Sequence, residues 1–305
     1  MAQNAPNSNL HFALQDIIGK SRTTGNTFFV DSGGADTSDA DGRDGRNPAK
    51  PFATLDFAIG TCTANNGDLI VVMPGHAETI ATGTALAPDV AGVTIVGLGK
   101  GSFRPTFTMS AVASSIVLSA ANVSLENFLF LIEHDVTIAI EYTAADCSVI
   151  NCEFRNRVAA TARQFVNAID IGGASGNDCD RAVVRGCKFT APAIGSASCV
   201  LISAVTEGIV IEGCWCFGDF ADACIQSAVI HTNCMVRNNV LKNTNSAEHA
   251  LQFDTTSTGF LIENYYATDI AGAVGSVDMG ACNSFECYAT DAVDVSGLLA
   301  PVVAS

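Results

Sequence analysis

Val123-Ser-Leu-Glu-Asn-Phe-Leu-Phe130 and Cys147-Ser-Val-Ile-Asn-Cys-Glu-Phe154 are two copies of one pattern, and their alignment decides the fold. In each, apolar and polar residues alternate up to an asparagine and resume after it. Period-two alternation marks a strand with one buried face. Asparagine and glycine tolerate the left-handed backbone of a tight bend. With the bend as anchor, Asn127 and Asn151 are joined by Gly97, Gly186, Gly213, Asn238, Asn264 and Glu286. The mean spacing of these anchors is 27 residues, within the range of solenoid repeats.

Three columns keep an apolar character down the copies. Two residues before the anchors stand Ile95, Leu125, Val149, Val184, Ile211, Val236, Ile262 and, as the polar exception, Ser284. Four before stand Val93, Val123, Cys147, Ala182, Ile209, Cys234, Phe260 and Cys282. One after stand Leu98, Phe128, Cys152, Cys187, Cys214, Asn239, Tyr265 and Cys287. All three are predicted to face inward. Seven of the twelve cysteines (Cys147, Cys152, Cys187, Cys214, Cys234, Cys282 and Cys287) thus form a core ladder. Buried cysteine packs as a small hydrophobe, so these are read as inert, reduced thiols. Asn127, Asn151, Asn238 and Asn264 form a bend ladder. An antiparallel sandwich has no reason to repeat one residue type at one bend. The expectation is therefore an all-β, single-stranded right-handed parallel β-helix.

The flanks give the remaining organisation. Residues 1–26 read as a polar N-terminal arm. Residues 27–67 hold an opening strand, an Asp/Gly-rich loop and a short capping helix, with Thr54 as N-cap and Asp56 in the first turn. Residues 68–292 are the coils. Residues 293–305 are apolar and read as a C-terminal cap or tail covering the open sheet end.

The whole-chain balance narrows the partners. The 305 residues are 48% hydrophobic and 15% charged, with a formal net charge of −16. Disorder is excluded, and an acidic surface disfavours nucleic acid. No stretch reads as a membrane span or a secretory signal, so folding is expected in the cytoplasm. No Cys-x-x-Cys pair or closely spaced histidine pair occurs, which gives no sequence signal for zinc.

The outward columns carry the interface expectation. Glu126, Ile150, Arg185, Glu212, Arg237 and Glu263 stand one residue before the anchors, and the last four alternate in sign and read as a charge ladder setting register. Beside it run two apolar stripes, Val183, Val210, Met235 and Leu261, and Trp215, Val240, Tyr266 and Tyr288. A contiguous exposed apolar patch marks a contact, here expected between subunits. For catalysis the candidate carboxylate pairs on successive coils are Glu141 with Asp170, and Asp254 with Asp278. With 31 acidic residues such pairs also arise by chance, and no basic cluster accompanies them. Asp36, Asp39, Asp41 and Asp44 alternate oxygens around a glycine bend. That pattern suits Ca²⁺, but the EF-hand spacing and its closing glutamate are absent, and a solvated polar loop is the default reading.

Pro51-Phe-Ala-Thr-Leu-Asp-Phe-Ala-Ile59 followed by Gly67-Asp-Leu-Ile-Val-Val-Met-Pro-Gly75 resembles the start of pectin-lyase-like β-helices, in which a helix closes the barrel before the first coil. Phe29-Val-Asp-Ser-Gly33, Pro74-Gly-His-Ala-Glu-Thr-Ile80 and Val90-Ala-Gly-Val-Thr-Ile-Val-Gly-Leu-Gly99 resemble β-helix proteins of tailed bacteriophages. That resemblance implies a virion structural protein assembled in the host cytoplasm. It further implies a homotrimeric capsid decoration or spike, held to capsid or tail proteins by the N-terminal arm and without catalytic activity. The alternative it implies is a tailspike that binds or cleaves host surface polysaccharide, as a glycoside hydrolase or polysaccharide lyase.

Overall fold

A computed structural model of the chain describes residues 23–40, 42–156, 163–172, 178–269, 277–291 and 298–299. The fold is an all-β parallel solenoid of about eight turns with almost no helix. Three sheets run along its axis. The first has ten strands, from Thr27–Val30 to Asn283–Phe285. The second runs from Ala77–Ile80 to Tyr288–Thr290 and is closed by Leu298–Leu299, which pairs antiparallel with the last of these. The third has seven strands, from Ile116–Leu118 to Val277–Asp278. All other pairings within these sheets are parallel and join each coil to the next, as in Val149 with Leu125 on one side and Val184 on the other.

The helix α1 (Leu55–Thr61) forms where the sequence places it. Thr54 Oγ1 accepts from Phe57 N at 3.4 Å. Glu78 Oε1 accepts from Leu55 N at 2.7 Å and meets His76 Nε2 at 2.6 Å. Leu55, Ala58 and Ile59 are buried against the first coil. The capping interaction thus ties the helix to the barrel through a buried histidine whose Nδ1 accepts from Ser32 N.

Inside the barrel, side chains stack in columns at the strand spacing of about 4.8 Å. Phe107, Phe130, Phe154 and Phe189 occupy equivalent positions of successive second-sheet strands. The Phe130–Phe154 and Phe154–Phe189 rings lie 4.9 and 5.0 Å apart, close to parallel. All seven ladder cysteines are buried, and every cysteine is unpaired. Cys187 lies between Cys152 and Cys214, and burial holds its thiol well above the ordinary range.

The bend ladder holds at Asn127, Asn151 and Asn238, whose φ angles are 65°, 53° and 56°. It fails at Asn264. There the left-handed residue is Glu263, with φ 52°, and Asn264 points inward, fully buried. The coil is one residue shorter than the anchors imply: Arg237 pairs with Ile262 and Val236 with Leu261. The asparagine is wanted inside. Its Oδ1 accepts from Asn239 N at 3.1 Å and from Asn239 Nδ2 at 3.0 Å, and its Nδ2 reaches Val236 O at 2.8 Å. Asn239 Oδ1 in turn accepts from Cys214 N. Two asparagines thus replace the cysteine column for two coils and satisfy each other, as buried amides must.

That one-residue slip inverts the expected faces of the two strands flanking the bend. Leu261 and Tyr266, expected outside, are core residues at 0% and 3% exposure. Phe260, Ile262 and Tyr265, expected inside, face outward instead. Glu263 leaves the charge column for the bend. The rest of that column stands: Glu212 bridges Arg185 at 2.9 Å and Arg237 at 2.8 Å.

Candidate functional site

Around the bend that joins the first and second sheets, the last four coils present an apolar face. On the second-sheet side Trp215 pairs with Val240, Val240 with Tyr265, and Tyr265 with Tyr288. These four are 38–54% exposed. Phe217 stands two residues beyond Trp215 and is also exposed. On the first-sheet side Met235, Phe260, Ile262, Phe285 and Glu286 line an open depression of ≈ 610 Å³. Val183 and Val210 continue the row of Met235 and Phe260 toward the N-terminal coils, half-buried. Among the expected interface residues, Val183, Val210, Met235, Trp215, Val240 and Tyr288 therefore lie on one face. Leu261 and Tyr266 hand their places to Phe260 and Tyr265. Phe217 was missed because it lies in no column that the anchors defined, and Phe285 because it stands one residue before the anchor Glu286, in the column read as a charge ladder.

The rings of this face are stacked on one another. Tyr265 and Tyr288 lie 5.9 Å apart at 16°, and Trp215 and Phe217 lie 5.7 Å apart at 10°. Lys188 Nζ sits 5.0 Å from the Trp215 ring centroid. One face of each of these rings is therefore engaged within the chain. A sugar ring stacks on an aromatic face, whereas a protein surface interdigitates with edges and hydrocarbon.

The carboxylate candidates lie on a different sheet. Glu141 and Asp170 are brought together, in register on neighbouring third-sheet strands. Asp170 is nearly buried, and Ser203 Oγ donates to its Oδ1 at 2.6 Å. Burial pushes the Glu141 carboxyl above its ordinary range. Asp254 and Asp278 are not brought together in this way, since the register partner of Asp278 is Gln252. Asp254 Oδ1 closes a turn by accepting from Thr256 N and Oγ1, contacts that hold its pKa down.

In the Asp-rich loop, three of the four candidates are described and each has other work. Asp39 accepts from Ala53 N, Thr54 N and Thr54 Oγ1, securing the start of α1. Asp36 pairs with Arg43 at 2.9 Å, and Asp44 accepts from Arg46 N. Asp41 lies outside the described residues, as do residues 1–22 of the N-terminal arm. Among the described residues, one group of three donors suited to a metal stands together: His231, Cys234 and Cys282. No helix among them is long and apolar enough to cross a membrane.

No known sequence family matches the chain, and no curated protein does. Solved structures do. A pectate lyase, Pel9A, matches at TM-score 0.52 and 12% identity over 92% of this chain and 82% of its own. A rhamnogalacturonan lyase matches at TM-score 0.47 and 14% identity over 91% and 90%. An alginate lyase from Paenibacillus sp. str. FPU-7 matches at TM-score 0.40 and 13% identity over 77% and 92%. At these identities the likeness is one of fold: the chain is a pectate-lyase-like parallel β-helix.

Proposed function

We propose that this chain is a structural β-helix that assembles with copies of itself, as a homotrimer, through the apolar face of its C-terminal coils. The observation that carries the reading is the exposed row of Trp215, Val240, Tyr265 and Tyr288 on one side of the bend, with exposed Phe260 and Phe285 on the other. Its size and apolar character suit protein association. Between the two stripes Glu212 is paired with Arg185 and Arg237, so part of the charge on this face is balanced within the chain. The virion setting, as a tailed-phage decoration or spike protein, rests on the resemblance of residues 29–33, 74–80 and 90–99. The test is sedimentation equilibrium of the purified chain. The proposal expects three times the 31.5 kDa of one chain, and a monomer at micromolar concentration would overturn it.

A second reading, a tailspike-type protein acting on polysaccharide, is favoured by one observation. Glu141 and Asp170 stand side by side on the third sheet with the Glu141 carboxyl held up by burial, which is how a general acid is kept protonated. The lyase names of the structural neighbours make acidic polysaccharides the first substrates to try. Release of reducing or unsaturated ends by the wild-type chain, lost in Glu141→Gln, would establish it.

A further inference from the structure

Cys234 and Cys282 stand on the same inward column, two coils apart, with Gly259 between them. Two strand spacings separate their main chains by about 9.6 Å, too far for a disulfide, which needs Cα atoms within about 7 Å. Their sulfurs nevertheless lie 3.8 Å apart. They meet because Gly259 leaves the intervening space empty: a Cβ there would lie 2.5 Å from Cys234 Sγ. His231, fully buried, places a ring nitrogen with the two sulfurs so that all three donors lie within 4.8 Å of one another.

The histidine is already arranged as a ligand. Its Nδ1 is held by the hydroxyls of Ser227 at 3.3 Å and Ser257 at 3.2 Å. Its Nε2 is buried and makes no hydrogen bond of ordinary geometry, although the ring interacts with the Cys282 thiol. A buried imidazole nitrogen without such a bond costs stability unless something accepts its lone pair. Metal-bound histidines show the same division, one nitrogen fixed by a neighbour and the other on the ion. Two Zn–S bonds of about 2.3 Å at the tetrahedral angle put the sulfurs about 3.8 Å apart, the separation found here. The Cys152, Cys187 and Cys214 column has sulfur neighbours but no histidine, so it lacks this donor set.

We propose that His231, Cys234 and Cys282 form a Cys₂His site for a single Zn²⁺ ion that clamps three successive coils at the C-terminal end of the barrel. Zinc binding releases the two thiol protons and leaves the ion's remaining position to water. The clamp would brace the coils that carry Phe260, Tyr265 and Phe285, but it stands independently of how that face is used.

The test is the metal content of the full chain after exposure to Zn²⁺ under reducing conditions and removal of excess ion. One zinc per chain is expected, with X-ray absorption showing two sulfurs at about 2.3 Å and a nitrogen at about 2.0–2.1 Å. The Cys234→Ser, Cys282→Ser double variant should fall to near zero, while Cys152→Ser keeps one zinc. Circular dichroism checks that the variants fold. Should the double variant not fold, the wild-type absorption spectrum decides alone. A wild-type chain that retains no zinc, binds it through oxygens, or prefers Cu⁺ would overturn the assignment. Undiminished zinc in a folded double variant would do so equally.

Discussion

Asn264 Oδ1 accepts two hydrogen bonds from Asn239, one from its main-chain N and one from its side-chain Nδ2, and both residues are fully buried. Asn239 passes the pattern on, accepting from Cys214 N and donating to Ile211 O. Replacing Asn239 by alanine strips partners from main-chain groups of Cys214 and Ile211 and from Asn264. Each buried group so stranded costs about 1–3 kcal/mol. The expected result is a clear fall in the urea midpoint of Asn239→Ala. A midpoint within error of the wild type would show that the pair contributes nothing.

The stacked phenylalanines give the second expectation. Phe154 is fully buried and packs at 4.9 and 5.0 Å against the rings on both neighbouring coils. Phe154→Ala leaves a cavity that rigid strands cannot close, and a loss of about 3–5 kcal/mol is expected. Phe217→Ala, on the exposed face, should cost the isolated chain far less. Thermal melts of the two variants under identical conditions make the comparison.

Much of this was readable before any coordinates. The anchors Asn127, Asn151, Gly186, Gly213 and Asn238 are the bends, and the flanking columns give the core. The reading failed where its rule met a competing demand. Asparagine marks a bend only when its side chain is not needed elsewhere, and Asn264 is needed inside, so Glu263 takes the left-handed position. A second set of bends, five residues earlier at Asn122, Asp146, Arg181, Gly208 and Asn233, was legible in the same register and passed unseen. The donor set of His231, Cys234 and Cys282 escaped for another reason. Zinc motifs are recognised by short spacings along the chain, whereas a solenoid brings together residues one or two full coils apart.

Glu141 supplies a pH expectation. Burial raises its folded-state pKa above the ordinary value of 4.5. Between that value and the raised one, the folded chain holds more protons than the unfolded chain, so this group lowers stability as pH rises through the interval. Glu141→Gln removes the effect. The variant should melt with the wild type near pH 3.5 and above it at pH 7. Parallel melting curves across that range would show that the carboxyl is not desolvated.

Gly259 is expected to tolerate no side chain. Its φ is 153°, and an added Cβ would lie 2.2 Å from Cys234 O. Gly259→Ala should cost about 1–3 kcal/mol or more of stability through overpacking and backbone strain, read as a lower melting temperature. An alanine variant as stable as the wild type would mean that the space above Cys234 is not closed.

If the aromatic face joins copies of the chain, charge placed on it should separate them. The most direct measurement is the sedimentation mass of the Trp215→Glu, Tyr265→Glu double variant beside the wild type. Both residues are exposed and outside the core, so the barrel should fold and its circular dichroism should be unchanged. The account predicts a trimer for the wild type and a monomer for the variant. A variant that sediments as the same trimer would contradict it.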